Sequence, residues 1–127
     1  MGSACWSQTT GPAGPPDQSN TVMVEAEQFQ FLSGWKVTPS PNCSGDSYLQ
    51  NSGMDPDALT VVNLPATGRY HLWTRTRCFK SATVGARRYL LVINGKPAEK
   101  ESGLSPNDGW IWEQVGTVDL TQGPCVL

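Results

Sequence analysis

The chain has 127 residues, which is enough for one domain with a hydrophobic core and too few for two. Its 9 basic and 11 acidic residues give a net charge of −2, so no excess of positive charge predicts binding to nucleic acid or to an anionic membrane surface. No apolar run approaches the roughly 20 residues of a membrane span. We therefore expect one domain whose partners include neither nucleic acid nor a membrane.

Residues 1–20 are rich in Gly, Pro, Ser and Thr and show no hydrophobic periodicity. This composition predicts a flexible leader or linker, with the folded domain over residues 21–127. The first ten residues also lack the apolar core of a signal peptide, so an export signal, if there is one, is expected upstream.

Residues 21–31 alternate strictly in polarity, which predicts a strand, although a helix is the rival interpretation for the second half. In a strand Glu25 and Glu27 share one face, with their Cα atoms about 6.6 to 7 Å apart. Two carboxylates at that spacing suit Ca²⁺, which prefers oxygen ligands. The alternative is a solvated acidic strand edge.

Three short strands are predicted next, at residues 35–37, 47–49 and 57–64, separated by loops rich in Pro, Asn, Ser and Gly. Residues 69–77 then form the clearest strand of the chain. Tyr70, Leu72, Thr74 and Thr76 fall on one side of it, and His71, Trp73, Arg75 and Arg77 fall on the other.

A second central run, residues 86–93, ends at Asn94-Gly95, a pair that favours a type I′ hairpin turn because both residues tolerate positive φ. The returning strand is expected at 98–101, and a last strand at 109–120. We expect Tyr70, Leu72, Leu91 and Ile93 to face the core. Many short strands with regular turn signals predict an all-β fold, an antiparallel β-sandwich.

The four cysteines, Cys5, Cys43, Cys78 and Cys125, contain no C-x-x-C pair and are too far apart for a zinc knuckle. The sequence leaves open whether they are free thiols or form at least one disulfide, and it does not choose among the three pairings.

Several segments, in their order along the chain, resemble the galactose-binding-like jelly rolls of carbohydrate-binding modules. The likeness is to families 6 and 35 and to the xanthan lyase-like modules appended to bacterial polysaccharide-active and FAD-dependent enzymes. It covers about residues 21–120 and rests on VMVEAEQF, Gly45-Asp46-Ser47-Tyr48-Leu49, DALTVVNLPATGRYHLWTRTR, YLLVINGKP and WEQVGTVDL.

The resemblance implies a non-catalytic module that binds an oligosaccharide or polysaccharide and accompanies a catalytic domain in a larger secreted bacterial enzyme, extracellular or periplasmic. It also implies a structural calcium ion at Glu25 and Glu27. Modules of this kind continue past the segment matching TVDLTQGP with one or two strands, one of which pairs with the first strand and often carries an acidic residue. The resemblance therefore implies that one or two strands are missing after Leu127.

Aromatic residues beside polar ones are the candidate sugar contacts. A flat ring stacks on the apolar face of a sugar while neighbouring polar groups bond its hydroxyls, and arginine holds a uronate carboxylate through two hydrogen bonds. The candidate ligand-binding residues are Trp110, Tyr48, Arg77, Asp108, Arg75 and Trp35. Trp73 and Trp112 are instead expected to fill the sandwich or cover its outer face. The other reading is a structural sandwich that packs against a catalytic domain and binds no sugar.

Enzymatic chemistry has little support. No nucleophile elbow, phosphate-binding loop or H-E-x-x-H motif is present, and the only histidine, His71, is predicted mid-strand as a surface or half-buried residue. Glu25 and Glu27 do not suit a glycosidase pair, because acid and nucleophile must flank the substrate bond from separated positions.

Overall fold

The computed structural model describes residues 4–8, 21–51, 53, 55–78, 83 and 86–127. Within these residues the chain is all-β and every strand pairing is antiparallel, as predicted; the jelly-roll sandwich stays a prediction. None of the described residues forms a helix long and apolar enough to cross a membrane. The strands are β1 (Ala4–Gln8), β2 (Thr21–Val24), β3 (Lys36–Pro39), β4 (Ser47–Gln50), β5 (Val61–Leu64), β6 (Gly68–Cys78), β7 (Val92–Ile93), β8 (Lys96–Pro97), β9 (Gly109–Leu120) and β10 (Gly123–Val126).

Strand β6 is the centre of the largest sheet, whose strand order is β2-β1-β6-β9. It pairs with β1 along one edge and with the whole of β9 along the other. The other described strands form three two-stranded sheets, β10-β5, β3-β4 and β7-β8. The long β6-β9 pair therefore forms a large part of this sheet and of its outer face.

The inner face of β6 begins the hydrophobic core. Tyr70 and Leu72 are 0% and 1% exposed, and the Tyr70 hydroxyl donates to the Ala66 carbonyl at 2.6 Å, which fixes the turn before the strand. The predicted core positions Tyr70, Leu72, Leu91 and Ile93 are confirmed. The core cluster comprises Leu64, Tyr70, Leu72, Leu91, Ile93, Val115, Leu120, Cys125 and Leu127.

The same inner face becomes polar toward the end of β6. Thr74 and Thr76 are fully buried, and they meet hydroxyls from the following segment. The Thr74 and Ser102 hydroxyls lie 2.6 Å apart, and Thr76 donates to the Tyr89 hydroxyl at 3.2 Å. Burial raises the pKa of Tyr89, although these hydroxyls partly oppose the shift. We call Thr74, Thr76, Tyr89 and Ser102 the hydroxyl cluster.

A β-bulge divides β9 into two halves. Opposite Leu72 and Trp73 the register shifts by one residue, between Gly116 and Gln114. Val115, the extra residue, is completely buried in the core. Because side chains alternate with period two, one inserted residue exchanges the two faces of the strand. Trp110 and Trp112 therefore point to the outer face, while Leu120, of the same parity, points inward.

The predicted leader is corrected at its beginning. Ala4–Gln8 is not a flexible segment but strand β1, which lies between β2 and β6 and pairs with both. The sequence of this segment has little alternation that would predict a strand. Its extended backbone is stabilised instead by hydrogen bonds to the two neighbouring strands. Residues 1–3 and 9–20, the rest of the predicted leader, lie outside the described residues.

The predicted strand over 21–31 is wrong after Val24. Glu25 is still extended, but Ala26–Gln28 form a single 3-10 turn, closed by hydrogen bonds from Gln28 N to Glu25 O and from Phe29 N to Ala26 O. Ala, Glu and Gln favour helical backbone, and this local preference outweighs the alternation. Glu25 and Glu27 are thus not neighbours on one strand face.

The second central run is also shorter than predicted. Only Val92–Ile93 and Lys96–Pro97 pair as strands, while Tyr89 joins Ser102 through an isolated bridge. The hairpin itself is confirmed, because Asn94 and Gly95 both have positive φ, 49° and 78°. The predicted return at 98–101 is wrong: the return strand is β8, and Ala98 N donates to Leu91 O directly after it.

Candidate functional site

The outer face of the β6-β9 pair carries a row of large aromatic and cationic side chains. Directly opposed residues share a face of an antiparallel pair, and the register opposes Trp73 to Gln114, Arg75 to Trp112 and Arg77 to Trp110. These side chains are half-buried except Trp112, which is 40% exposed. We call this surface, with Tyr48 at its edge, the aromatic–arginine face: Tyr48, Trp73, Arg75, Arg77, Trp110 and Trp112.

Arg75 is the central cation of this face. Its guanidinium carbon lies 5.6 Å from the centroid of the Trp110 ring and 6.0 Å from that of the Trp112 ring. Both distances are within the range of cation–π attraction. Its buried Nε has no hydrogen-bond partner among the described residues. Two indoles therefore position a guanidinium that keeps an unsatisfied donor.

The predicted contacts Trp110 and Tyr48 are brought together from distant parts of the chain. Their rings make an edge-to-face contact with centroids 5.7 Å apart. Arg77 lies opposite Trp110 in the register, and Asp108 is exposed one residue before β9 begins, at the same end of the sheet. Five of the six predicted ligand-binding residues thus belong to one end of the β6-β9 pair.

Trp35, the sixth, lies elsewhere. Its indole Nε1 donates to Pro56 O at 2.7 Å, and it lines a separate cavity of about 490 Å³. The buried floor of this cavity includes Leu49, Leu91 and Leu127. Trp35 therefore does not contribute to the aromatic–arginine face.

Glu25 and Glu27 both lie against a second 3-10 turn, Ser44–Asp46, but each is close to a different residue of that turn. Ser44 Oγ donates to Glu25 Oε1 at 2.5 Å. A Cβ added at Gly45 would lie 2.8 Å from Glu27 Oε1, so the positive-φ glycine lets the turn close over this carboxylate.

The carboxylate of Glu27 is buried, and neither oxygen accepts a hydrogen bond from a described residue. Burial is the main cause that raises the pKa of Glu27; the negative charge of Glu25 adds to it, while the Glu27 backbone N–H and the Ser47 hydroxyl nearby oppose it. A buried acid without a donor suits a bound cation, which would lower the cost of ionising it. Among the described residues, however, no three His, Cys, Asp or Glu side chains form a metal-binding group.

The only histidine of the sequence, His71, contacts a glutamine of β9. His71 is half-buried, as predicted, and its Nδ1 lies 3.2 Å from the Gln114 amide nitrogen. Cys43, Cys78 and Cys125 are free thiols, and burial raises the pKa of Cys78 and of Cys125. The side chain of Cys5 lies outside the described residues.

The chain was compared with models of known protein families, with curated proteins and with solved structures. None of the three comparisons gives a match. The resemblance to carbohydrate-binding modules therefore stays a prediction.

Trp112 covers the outer face, the second of the two positions expected for it. It is an exposed member of the aromatic–arginine face. The signal was its spacing of two residues from Trp110, which places both on one side of a strand. The exposed Arg88 and Asp57 both line the separate cavity, and nothing in the local sequence predicts that residues so distant in the chain come together there.

Proposed function

We propose that the aromatic–arginine face binds a glycan without transforming it. The observation that carries this proposal is the exposed Trp112 beside Arg75 and Trp110, with Tyr48 in contact at the edge. Indole rings stack on the C–H faces of sugars, and guanidinium donors bond their oxygens. The module would hold a polysaccharide for a catalytic domain of a larger secreted enzyme.

The test is affinity electrophoresis of the purified chain through gels that contain soluble polysaccharides. We expect retardation by at least one of them and a roughly tenfold weaker affinity for Trp112→Ala, because truncating an aromatic anchor typically removes more than 1 kcal/mol of binding free energy. Phe31→Ala is the matched control, since Phe31 is an aromatic residue, 64% exposed, on another part of the surface. Release of reducing sugar from any retarding polysaccharide would contradict the non-catalytic proposal.

A second proposal is a structural module that packs against a catalytic domain and binds no sugar. It is favoured by an exposed apolar strip away from the aromatic–arginine face. Phe31 bridges Leu59, and Val61 pairs with Val126; these side chains are 64%, 44%, 45% and 45% exposed. Failure of a folded chain to bind any polysaccharide in a broad panel would favour this alternative.

We also propose that Glu27 and Glu25 hold a structural Ca²⁺, with backbone carbonyls of the neighbouring turn as further ligands. The support is the buried Glu27 carboxylate, whose oxygens accept no hydrogen bond from the residues that the structure describes. The ion would neutralise this charge and fix the turn Ser44–Asp46 against the end of β2.

Millimolar Ca²⁺ is therefore expected to raise the melting temperature, because an ion that binds only the native state stabilises it, by about 2.7 kcal/mol at one hundred times Kd. Chelator should reverse the effect and Glu27→Gln should abolish it. Glu101→Gln, at an exposed acid, should preserve it. A melting temperature unaffected by Ca²⁺ in the wild-type chain would exclude this site.

A further inference from the structure

Strand β1 is the first described strand of the chain, but it occupies an interior position in the four-stranded sheet. It lies between β2 and β6 and is antiparallel to both. Four of its residues pair with β2 and five pair with β6. Within the described part of the chain β2 and β6 do not pair with each other, so β1 alone joins β2 to the rest of this sheet.

The space between β2 and β6, which we call the β1 slot, has a strand edge on each side. Its inner side adjoins the core: Tyr70 and Leu72 of β6 belong to the core cluster, and Val22 and Val24 of β2 pack against it. Unpaired backbone groups next to a core and exposed apolar side chains both raise the free energy of the folded state. The β1 slot is therefore stable only when an extended strand fills it.

The connection between β1 and β2 is long for antiparallel neighbours. The two strands are separated by the 12 residues 9–20, whereas hairpin loops commonly have roughly two to five. Closing a flexible loop of 12 residues is about eightfold less probable than closing one of three. Three of these residues are prolines, which favour an extended backbone, and a fully extended segment of this length spans about 40 Å. This connection therefore suits reaching a second molecule better than a tight return.

We propose that two copies of this chain exchange β1, so that β1 of each copy fills the β1 slot of the other. The exchanged strand makes the same backbone hydrogen bonds as before, and the contact is self-complementary, as in most symmetric dimers. Strand β1 (ACWSQ) contains no charged residue, and a net charge of −2 gives little repulsion between copies. Pairing lies in the plane of the sheet, so the dimer carries two aromatic–arginine faces, although the exchange does not depend on glycan binding.

An extended segment of another protein would also fit a slot with two strand edges. A second copy is favoured because every molecule already carries a strand of matching register, with Ala4 opposite both Val24 and Thr74. A short flexible tether gives the strand an effective concentration of about 1 mM at its own slot. Exchange between copies therefore competes with closure within one copy as the protein concentration approaches this value.

A cysteine trap distinguishes strand exchange from dimerisation through surface contacts. Cys5 is opposite Met23 in the register, and opposed Cα atoms of an antiparallel pair, about 4.5 to 5.5 Å apart, suit a disulfide. Met23 is 51% exposed, so Met23→Cys should preserve the fold. This variant is oxidised at about 10 µM and at about 1 mM and separated under non-reducing denaturing conditions. We expect at least a tenfold larger fraction of covalent dimer at the higher concentration, and disulfides within single chains at the lower one.

The matched control is Met23→Cys combined with Cys5→Ser, which retains Cys43, Cys78 and Cys125 and should give no covalent dimer. A second measurement covers a trap variant that fails to fold. A chain lacking residues 9–20 keeps only Gln8 between Ser7 and Thr21, fewer residues than the shortest common hairpin loop. Its β1 cannot return to its own slot, so sedimentation should show a dimer at about 10 µM, where the wild-type chain is a monomer.

Disulfides that stay within single chains at every concentration would overturn the inference, even if the chain dimerises, because the contact would then be a surface contact. A monomeric chain without residues 9–20 would overturn it as well. If Cys5 stays unlinked and the purified chain retains an unrelated protein, the β1 slot belongs to that partner and the exchange is likewise excluded.

Discussion

The two faces of β6 come from the same alternating residues but differ in what they contact. Inward, Tyr70 and Leu72 pack into the apolar core, and Thr74 and Thr76 continue into the hydroxyl cluster. Outward, the half-buried Arg75 lies beside indoles from β9, and its Nε has no hydrogen-bond partner within the described part of the chain. The inner face thus stabilises the fold, and the outer face is the surface for which we propose ligand binding.

The strongest test of this comparison is Leu72→Ala. Leu72 is 1% exposed within the core, so its truncation should lower the free energy of unfolding by about 2 to 5 kcal/mol. Urea denaturation followed by tryptophan fluorescence measures the change. Val61→Ala, at a side chain 45% exposed, should change stability by no more than about 0.5 kcal/mol. Equal effects of the two substitutions would contradict the assignment of faces.

The hydroxyl cluster provides a second, intermediate effect. Thr74→Val leaves the buried Ser102 hydroxyl without its partner and should cost about 1 to 3 kcal/mol. Removing both hydroxyls in Thr74→Val with Ser102→Ala should cost less than the sum of the single changes, because no unpaired group remains. Strict additivity of the two substitutions would show that the hydroxyls do not depend on each other.

The outer face should contribute less to stability. Trp112→Ala removes a side chain that is 40% exposed and one cation–π contact, which is worth about 0.5 to 1 kcal/mol at an exposed site. We expect a loss near that value in the same denaturation assay, together with the loss of binding described above. If Trp112→Ala lowered the free energy of unfolding as much as Leu72→Ala, Trp112 would contribute as much to stability as a core residue, and the prediction would be wrong.

The smallest effect concerns alkaline pH. Burial raises the pKa of Tyr89 above its ordinary value of about 10, so the unfolded chain releases this proton first. The resulting stability is fully present below pH 10 and is lost as the pH rises through the folded-state pKa. The difference in unfolding free energy between wild type and Tyr89→Phe should therefore shrink between pH 8 and pH 10.5. A constant difference would indicate that Tyr89 ionises equally in both states.

Local patterns were enough to predict those strands in which no competing helical preference opposes the alternation of polar and apolar residues. The faces of β6, the bounds of β9 and the Asn94-Gly95 hairpin followed from period-two alternation and from residues that tolerate positive φ. Trp110, Tyr48, Arg75 and Arg77 could be chosen because stacking and charge are properties of the residues themselves.

Only the tertiary structure decided which of these residues meet. The bulge at Val115 exchanges the faces of β9 and so places Trp110 and Trp112 beside Arg75, which no pattern within β9 reveals. The insertion of β1 between β2 and β6 depends on hydrogen bonds to strands far along the chain. The separation of Trp35 from the other candidates likewise depends on distant packing. Alternation and turn preference act within a few residues, whereas register and strand order are set by contacts between distant segments.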